Sequence, residues 1–281
     1  MCSSREYYLE VTPAGWTFSI WSIIYTLEAL WVGYTLVNVF CRGPRGTPYA
    51  DPLLVPYTVI VASMVACMLN IAWLIVFDRQ IIWASALVLN SYSLIFYYML
   101  AHCYISLDED RLAEQGRTLD IWLTRILVHN GIAMQATWVS IATLLNYAMV
   151  TIYTLDPGLS VTDGSTMSLL LLAGAIVTFT LTDLVWLDRY SRYTVTPYLV
   201  LVMALTGSWS KNYVPEARNS LITVILLGFS VFLLITKLLA TCVRVVRDRR
   251  SLVLLVDSKQ KTIGVKSGEK AGENIDEKTG E

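Results

Sequence analysis

Seven long apolar stretches, at about residues 15–39, 53–77, 80–105, 121–153, 165–187, 193–209 and 219–245, leave this chain few ways to fold. A hydrocarbon core about 30 Å thick is crossed by a helix of about 20 mostly apolar residues. Inside it, backbone polar groups must be satisfied within the protein. Each stretch therefore reads as a membrane-spanning α-helix. The sixth is the shortest and carries Pro197 and Gly207. Apolar residues make up 55% of the 281 and charged residues 15%, with a mean hydropathy of +0.55, an apolar excess beyond what a soluble core requires. The turn-forming residues Gly43-Pro44, Asp156-Pro157-Gly158 and Pro215 fall between the stretches. The expected fold is an all-α polytopic bundle of about seven transmembrane helices. Arg5, Glu6 and Glu10 precede a first stretch too long for a signal-peptide core, so that helix is read as retained.

Lys and Arg in the short loops set the expected orientation. With the C-terminus inside, the cytoplasmic side holds Arg42, Arg45, Arg111, Arg117, Arg189, Arg192 and the basic run from Arg244 to Arg250. The opposite side holds Arg5, Arg79, Lys211 and Arg218. The balance predicts N-out, C-in, which needs an odd number of spans. Residues 1–14 form a short extracytoplasmic segment and 15–245 the membrane domain. The charged tail 246–281, poor in large apolar residues from Lys259 on, is expected to be disordered. Cys41, Cys103 and Cys242 fall at the predicted cytoplasmic boundary, where S-acylation is a minority reading. The bilayer is the one partner that composition demands. Nothing points to nucleic acid, a homodimer is a candidate assembly, and the chain does not identify its membrane.

Charged groups at membrane depth are costly and usually have partners in the bundle interior. Glu28 lies mid-way along the first span. Arg125 and His129 lie four residues apart, hence on one face, early in the fourth. At 100° per residue Gln135, Ala136, Ala142, Thr143 and Asn146 continue their arc, interrupted by Val128, Ile132 and Val139. The stripe reads either as a close helix contact or as the wall of a cavity. Glu28 either pairs with Arg125 or His129 or stays protonated. Asp183, near the boundary, reads as structural. Among nine tryptophans, Trp16, Trp21 and Trp31 cluster in the first span with Tyr25. Trp21 and Tyr25 are one turn apart, so their rings share a face. They suit either core packing or a crevice for a flat apolar ligand.

Three segments carry a family likeness. Thr12-Pro13-Ala14-Gly15-Trp16-Thr17-Phe18-Ser19-Ile20-Trp21-Ser22-Ile23-Ile24-Tyr25 resembles the signature of the translocator protein (TspO/MBR) family, also called tryptophan-rich sensory proteins. Asn70-Ile71-Ala72-Trp73, with Phe77 four residues on, is similar to that family's third-helix motif, and Trp138 to Asn146 is similar to its final helix. The resemblance implies that the first four spans correspond to the last four of a five-helix fold. It also implies an aromatic cavity for a porphyrin, haem-like or sterol molecule, lined by Trp16, Trp21, Tyr25, Asn70, Trp73, Trp138 and Asn146. The family's first span has no counterpart here, so either the three additional C-terminal spans replace that wall or the pocket differs. Asp188 to Lys211 looks similar to the C-terminal part of longer bacterial and invertebrate relatives.

Three functions follow as expectations. The first is binding or transport of a flat hydrophobic ligand, with no cofactor required. The second is a seven-helix receptor, suggested by the span count and by Asp188-Arg189-Tyr190, which however follows the fifth span rather than the third. The third is proton-coupled transport using Glu28 with Arg125 or His129, and with Gln135 in the polar stripe. The chain carries no nucleophile elbow or P-loop, and neither His102 nor His129 has a metal-ligand partner at suitable spacing, which argues against an enzyme.

Overall fold

A computed structural model describes residues 7–40, 54–155 and 158–276, with side chains through residue 247; among these residues every regular element is a helix. After a single 3-10 turn at Gly15–Ser19, the order is α1 (Ile20–Phe40), α2 (Tyr57–Asp78), α3 (Ile82–Ser106), α4 (Glu109–Glu114), α5 (Thr118–Leu123) and α6 (Asn130–Tyr153). Then follow α7 (Val161–Leu181), α8 (Asp188–Ser191), α9 (Thr196–Asn212) and α10 (Arg218–Asp276). A π-helical turn, Thr124–His129, joins α5 to α6, and a second, Thr182–Trp186, extends α7.

Six of these helical runs are long and apolar enough to cross a membrane: 15–40, 57–78, 82–106, 118–153, 161–186 and 218–247. They coincide with six of the seven expected spans. The seventh, α9, has 17 residues, or about 26 Å at 1.5 Å per residue, at the short limit of a crossing. Pro197 sits in its first turn, where its missing N–H costs nothing, and Pro215 lies just beyond its end. Tyr198, Leu201, Ala204, Leu205 and Gly207 are buried, so protein rather than lipid covers much of this short helix.

Local chemistry sets several boundaries. The Asp108 carboxylate accepts a hydrogen bond from the Arg111 backbone N–H to start α4, and Gly116, at φ +72°, follows its end where a side chain would be strained. The Ser160 hydroxyl caps α7 by accepting from the Asp163 N–H at 3.0 Å. Asn130 joins the first turn of α6 to the approach of α9. Its amide donates to the carbonyls of Arg125 and Tyr193, and its oxygen accepts from the N–H groups of Val195 and Thr196.

The chain divides into two compact units, Met1–Ile235 and Thr236–Glu281. In the first, α6 is the central helix, running along α3 on one side and α7 and α9 on another. Small residues permit these approaches, as is usual between helices in lipid. A Cβ at Gly131 would already touch Leu27 and Trp31 of α1. α2 packs chiefly along α3 and turns Met64, Met68, Ile71 and Ile75 outward. Such a face is a liability in water and ordinary in a bilayer.

Residues 246–276 continue α10. One expectation changes here. Cys103 is fully buried between helices, because its position on α3 faces α6 and not the lipid boundary, so it is unavailable for acylation. Cys242 is exposed, and Cys41 lies outside the described residues.

Candidate functional site

Residues 7–14 run from the N-terminus across the ends of three later helices. Glu10 is their anchor. Its carboxylate accepts from the Thr162 hydroxyl at 2.7 Å and the Asn219 amide at 2.6 Å, while its own N–H donates to Ser165 Oγ at 3.1 Å. The Thr12 carbonyl accepts from Asn212, and the Ala14 N–H donates to the Gly207 carbonyl at 3.0 Å. Leu9 and Val11, flanking Glu10 in an alternating pattern, are buried with Ala148, Leu169, Leu205 and Leu226. This strap carries Tyr7, Thr12 and Pro13 into the wall of a cavity of about 210 Å³.

The remaining walls come from the start of α1 (Phe18, Trp21), from α2 (Trp73, Phe77) and from one face of α6 (Trp138, Ile141, Ala142, Leu145, Asn146, Met149). Trp138 is the hub. Its ring meets Phe18 edge-on at 5.8 Å and Trp21 edge-on at 6.4 Å, the favoured geometry for ring quadrupoles. Trp21 stacks on Tyr25 at 5.4 Å, and Trp73 leans on Phe77 at 5.7 Å.

The lining is almost wholly apolar. Asn146 is already satisfied: its oxygen accepts from Ser85 at 2.8 Å and its amide donates to the Ala142 carbonyl. It ties α3 to α6. The indole N–H of Trp73 is buried with no acceptor. An unsatisfied buried donor costs about 1–3 kcal/mol, but this nitrogen has less than 1 Å² of open surface and so does not face the cavity.

Of the seven residues expected to line a pocket, Trp21, Trp73, Trp138 and Asn146 meet in this one. Trp16 does not: it is 51% exposed, one turn outside the wall. Tyr25 stands behind Trp21, and Asn70 donates to the Tyr25 hydroxyl at 3.1 Å without reaching the cavity. Among the described residues, none from α7, α9 or α10 lines this cavity. The strap residue Tyr7 was missed by sequence reasoning; the alternation of Leu9 and Val11 about Glu10 was the available signal.

The polar set is assembled differently from expectation. Arg125 pairs with Glu109 and lies over the rings of Trp122 and Tyr193, at 5.0 and 4.2 Å. His129 is buried edge-on against Tyr104 at 4.8 Å, with no partner for Nε2. Gln135 donates to the Tyr92 hydroxyl at 2.8 Å. Glu28 has neither an ion pair nor a hydrogen bond among the described residues; Cys67 and Tyr92 are its electrostatic neighbours. Neither Arg125 nor His129 pairs with Glu28: Arg125 is engaged by Glu109, and His129 packs against Tyr104. Asp183 is buried and accepts from the Tyr198 hydroxyl at 2.7 Å, a structural role.

A family model described as TSPO-like protein matches residues 2–239. No curated protein and no solved structure is matched.

Proposed function

The chain belongs to the TSPO-like family and is a multi-pass integral membrane protein; from that premise we propose that it binds a flat, mainly apolar ligand of the sterol or tetrapyrrole type in the cavity between the strap, α1, α2 and α6. One observation carries the reading. Trp21, Trp73 and Trp138 stand in one wall, with Trp138 holding Phe18 and Trp21 edge-on. Aromatic faces suit a planar, mainly apolar molecule.

Size refines the ligand. A cavity of about 210 Å³ is smaller than the ~300–1,000 Å³ of most small-molecule sites. It accepts the ring end of a sterol or one edge of a porphyrin, with the remainder lying between helices. Such a ligand needs no covalent chemistry, and the role is binding, delivery or sensing rather than catalysis.

The alternatives have less support. The receptor reading rests on span number and on Asp188-Arg189-Tyr190, whose Asp188 is engaged with Arg192 at 3.3 Å. The proton-coupled reading needs a basic partner for Glu28, and Arg125 is committed to Glu109.

The test is a titration of the full chain in lipid nanodiscs with protoporphyrin IX and with a fluorescent sterol. Saturable quenching of tryptophan emission, lost in Trp138→Ala or Trp21→Ala, is expected. Absence of saturable quenching with both probes overturns the proposal.

A further inference from the structure

We infer that ligand reaches this cavity sideways from the hydrocarbon phase, through the seam between α1 and α2, and that the Tyr25–Asn70 hydrogen bond latches that seam. The inference rests on the ligand-binding reading above and adds where the ligand comes from: it is a molecule dissolved in the bilayer, not one delivered from either aqueous side.

Other routes are filled. The strap closes one end, with Leu9 and Val11 buried and Glu10 bonded to two helices. Toward the opposite end, Gln135 bonds Tyr92 across the α3–α6 gap, and Val128, Ile132 and Ala136 pack the space below. The back wall is α6, the most closely packed helix.

The seam is built differently. α2 packs closely along α3, and its approach to every other described helix is slight. Its link to α1 is through side chains. Tyr25 meets Asn70, and one turn on, Glu28 comes within electrostatic reach of Cys67, the pairing of an antiparallel register. Among the described residues the Asn70–Tyr25 bond, at 3.1 Å, is the one hydrogen bond between the two helices. Tyr25 is 46% exposed and Cys67 is exposed, so this latch faces outward where lipid lies. Immediately beside it, Trp21, stacked on Tyr25, and Trp73, one turn from Asn70, are cavity walls. Swinging Tyr25 away from Asn70 therefore frees the Trp21 ring and opens the wall toward the acyl chains. Hydrogen bonds between membrane helices are individually weak, so the latch can break on the timescale of side-chain and helix motion. The small cavity fits the same picture, since the part of a ligand that exceeds it lies in the seam.

The experiment uses the full chain in nanodiscs, with protoporphyrin IX supplied from donor vesicles. In a Cys67→Ala background, Tyr25→Cys and Asn70→Cys are joined by a short bifunctional thiol reagent and compared with the same protein capped by a monofunctional reagent. Cross-linking is expected to slow association by roughly tenfold or more, as expected when a gate is held shut. Tyr25→Phe, which keeps the ring and loses the latch, is expected to speed it. Equal association rates in the cross-linked and capped proteins overturn the seam as the route, while leaving the cavity reading standing. If the double-cysteine protein fails to fold, an unchanged association rate in Tyr25→Phe overturns the latch. A wild-type chain that binds no porphyrin overturns the cavity reading and the seam with it.

Discussion

Replacing Trp138 by Leu separates a cavity wall from a merely abundant tryptophan. Trp138 is 4% exposed, holds Phe18 and Trp21 edge-on, and lines the cavity, whereas Trp16 is 51% exposed and outside it. Loss of the ring removes one ligand contact and releases Trp21, a second. At about 0.5–1.5 kcal/mol for each aromatic contact, the two together amount to about 1–3 kcal/mol, or roughly a 5- to 150-fold rise in Kd. Trp16→Leu removes neither and should stay within about twofold, a change of under ~0.5 kcal/mol. The emission anisotropy of protoporphyrin itself, in nanodiscs, reads Kd without depending on the tryptophan signal that both substitutions alter. Circular dichroism on the same samples checks that the helices persist. A Trp138→Leu protein that binds within twofold of wild type, or a Trp16→Leu protein that is the weaker binder, would refute the assignment of the wall.

Trp73→Phe keeps a ring in the wall and removes a buried donor that has no acceptor; it should raise thermal stability, by about 1–3 kcal/mol at most, and leave ligand affinity within about twofold, readable from paired melting and binding curves. Gly207→Ala should be strongly destabilising, because a Cβ there would run into the side chain of the fully buried Thr17, whereas Gly174→Ala, with nothing within 4 Å of the added carbon, should be nearly neutral. Overpacking of this kind costs about 1–3 kcal/mol, and a detergent-solubilised thermal melt that ranks the two glycines equally would contradict the packing of the strap against α9.

The parts that were legible in sequence are those governed by local pattern. Span positions follow from runs of apolar residues, and Trp138 and Asn146, expected from the family-like motif in the fourth span, line one cavity with Leu145 and Met149, which sequence reasoning did not single out. Trp21 and Trp73 were likewise found through family-like motifs. What escaped depends on contacts far apart in the chain. Glu10 finds Thr162 and Asn219 more than 150 and 200 residues away, so the strap and its Tyr7 could not be placed by periodicity. Arg125 and His129 lie in the π turn at Thr124–His129, where counting at 100° per residue does not strictly apply. That no described residue of α7, α9 or α10 lines the cavity was likewise invisible, since a span's sequence does not say which neighbour it packs against.

A structure of the full chain isolated in native lipid, with its endogenous ligand retained, tests the proposed site most directly. The predicted result is planar density between Trp21, Trp73 and Trp138, with an end directed into the α1–α2 seam. A closed bundle in which side chains fill that space, or a ligand bound elsewhere, would contradict it.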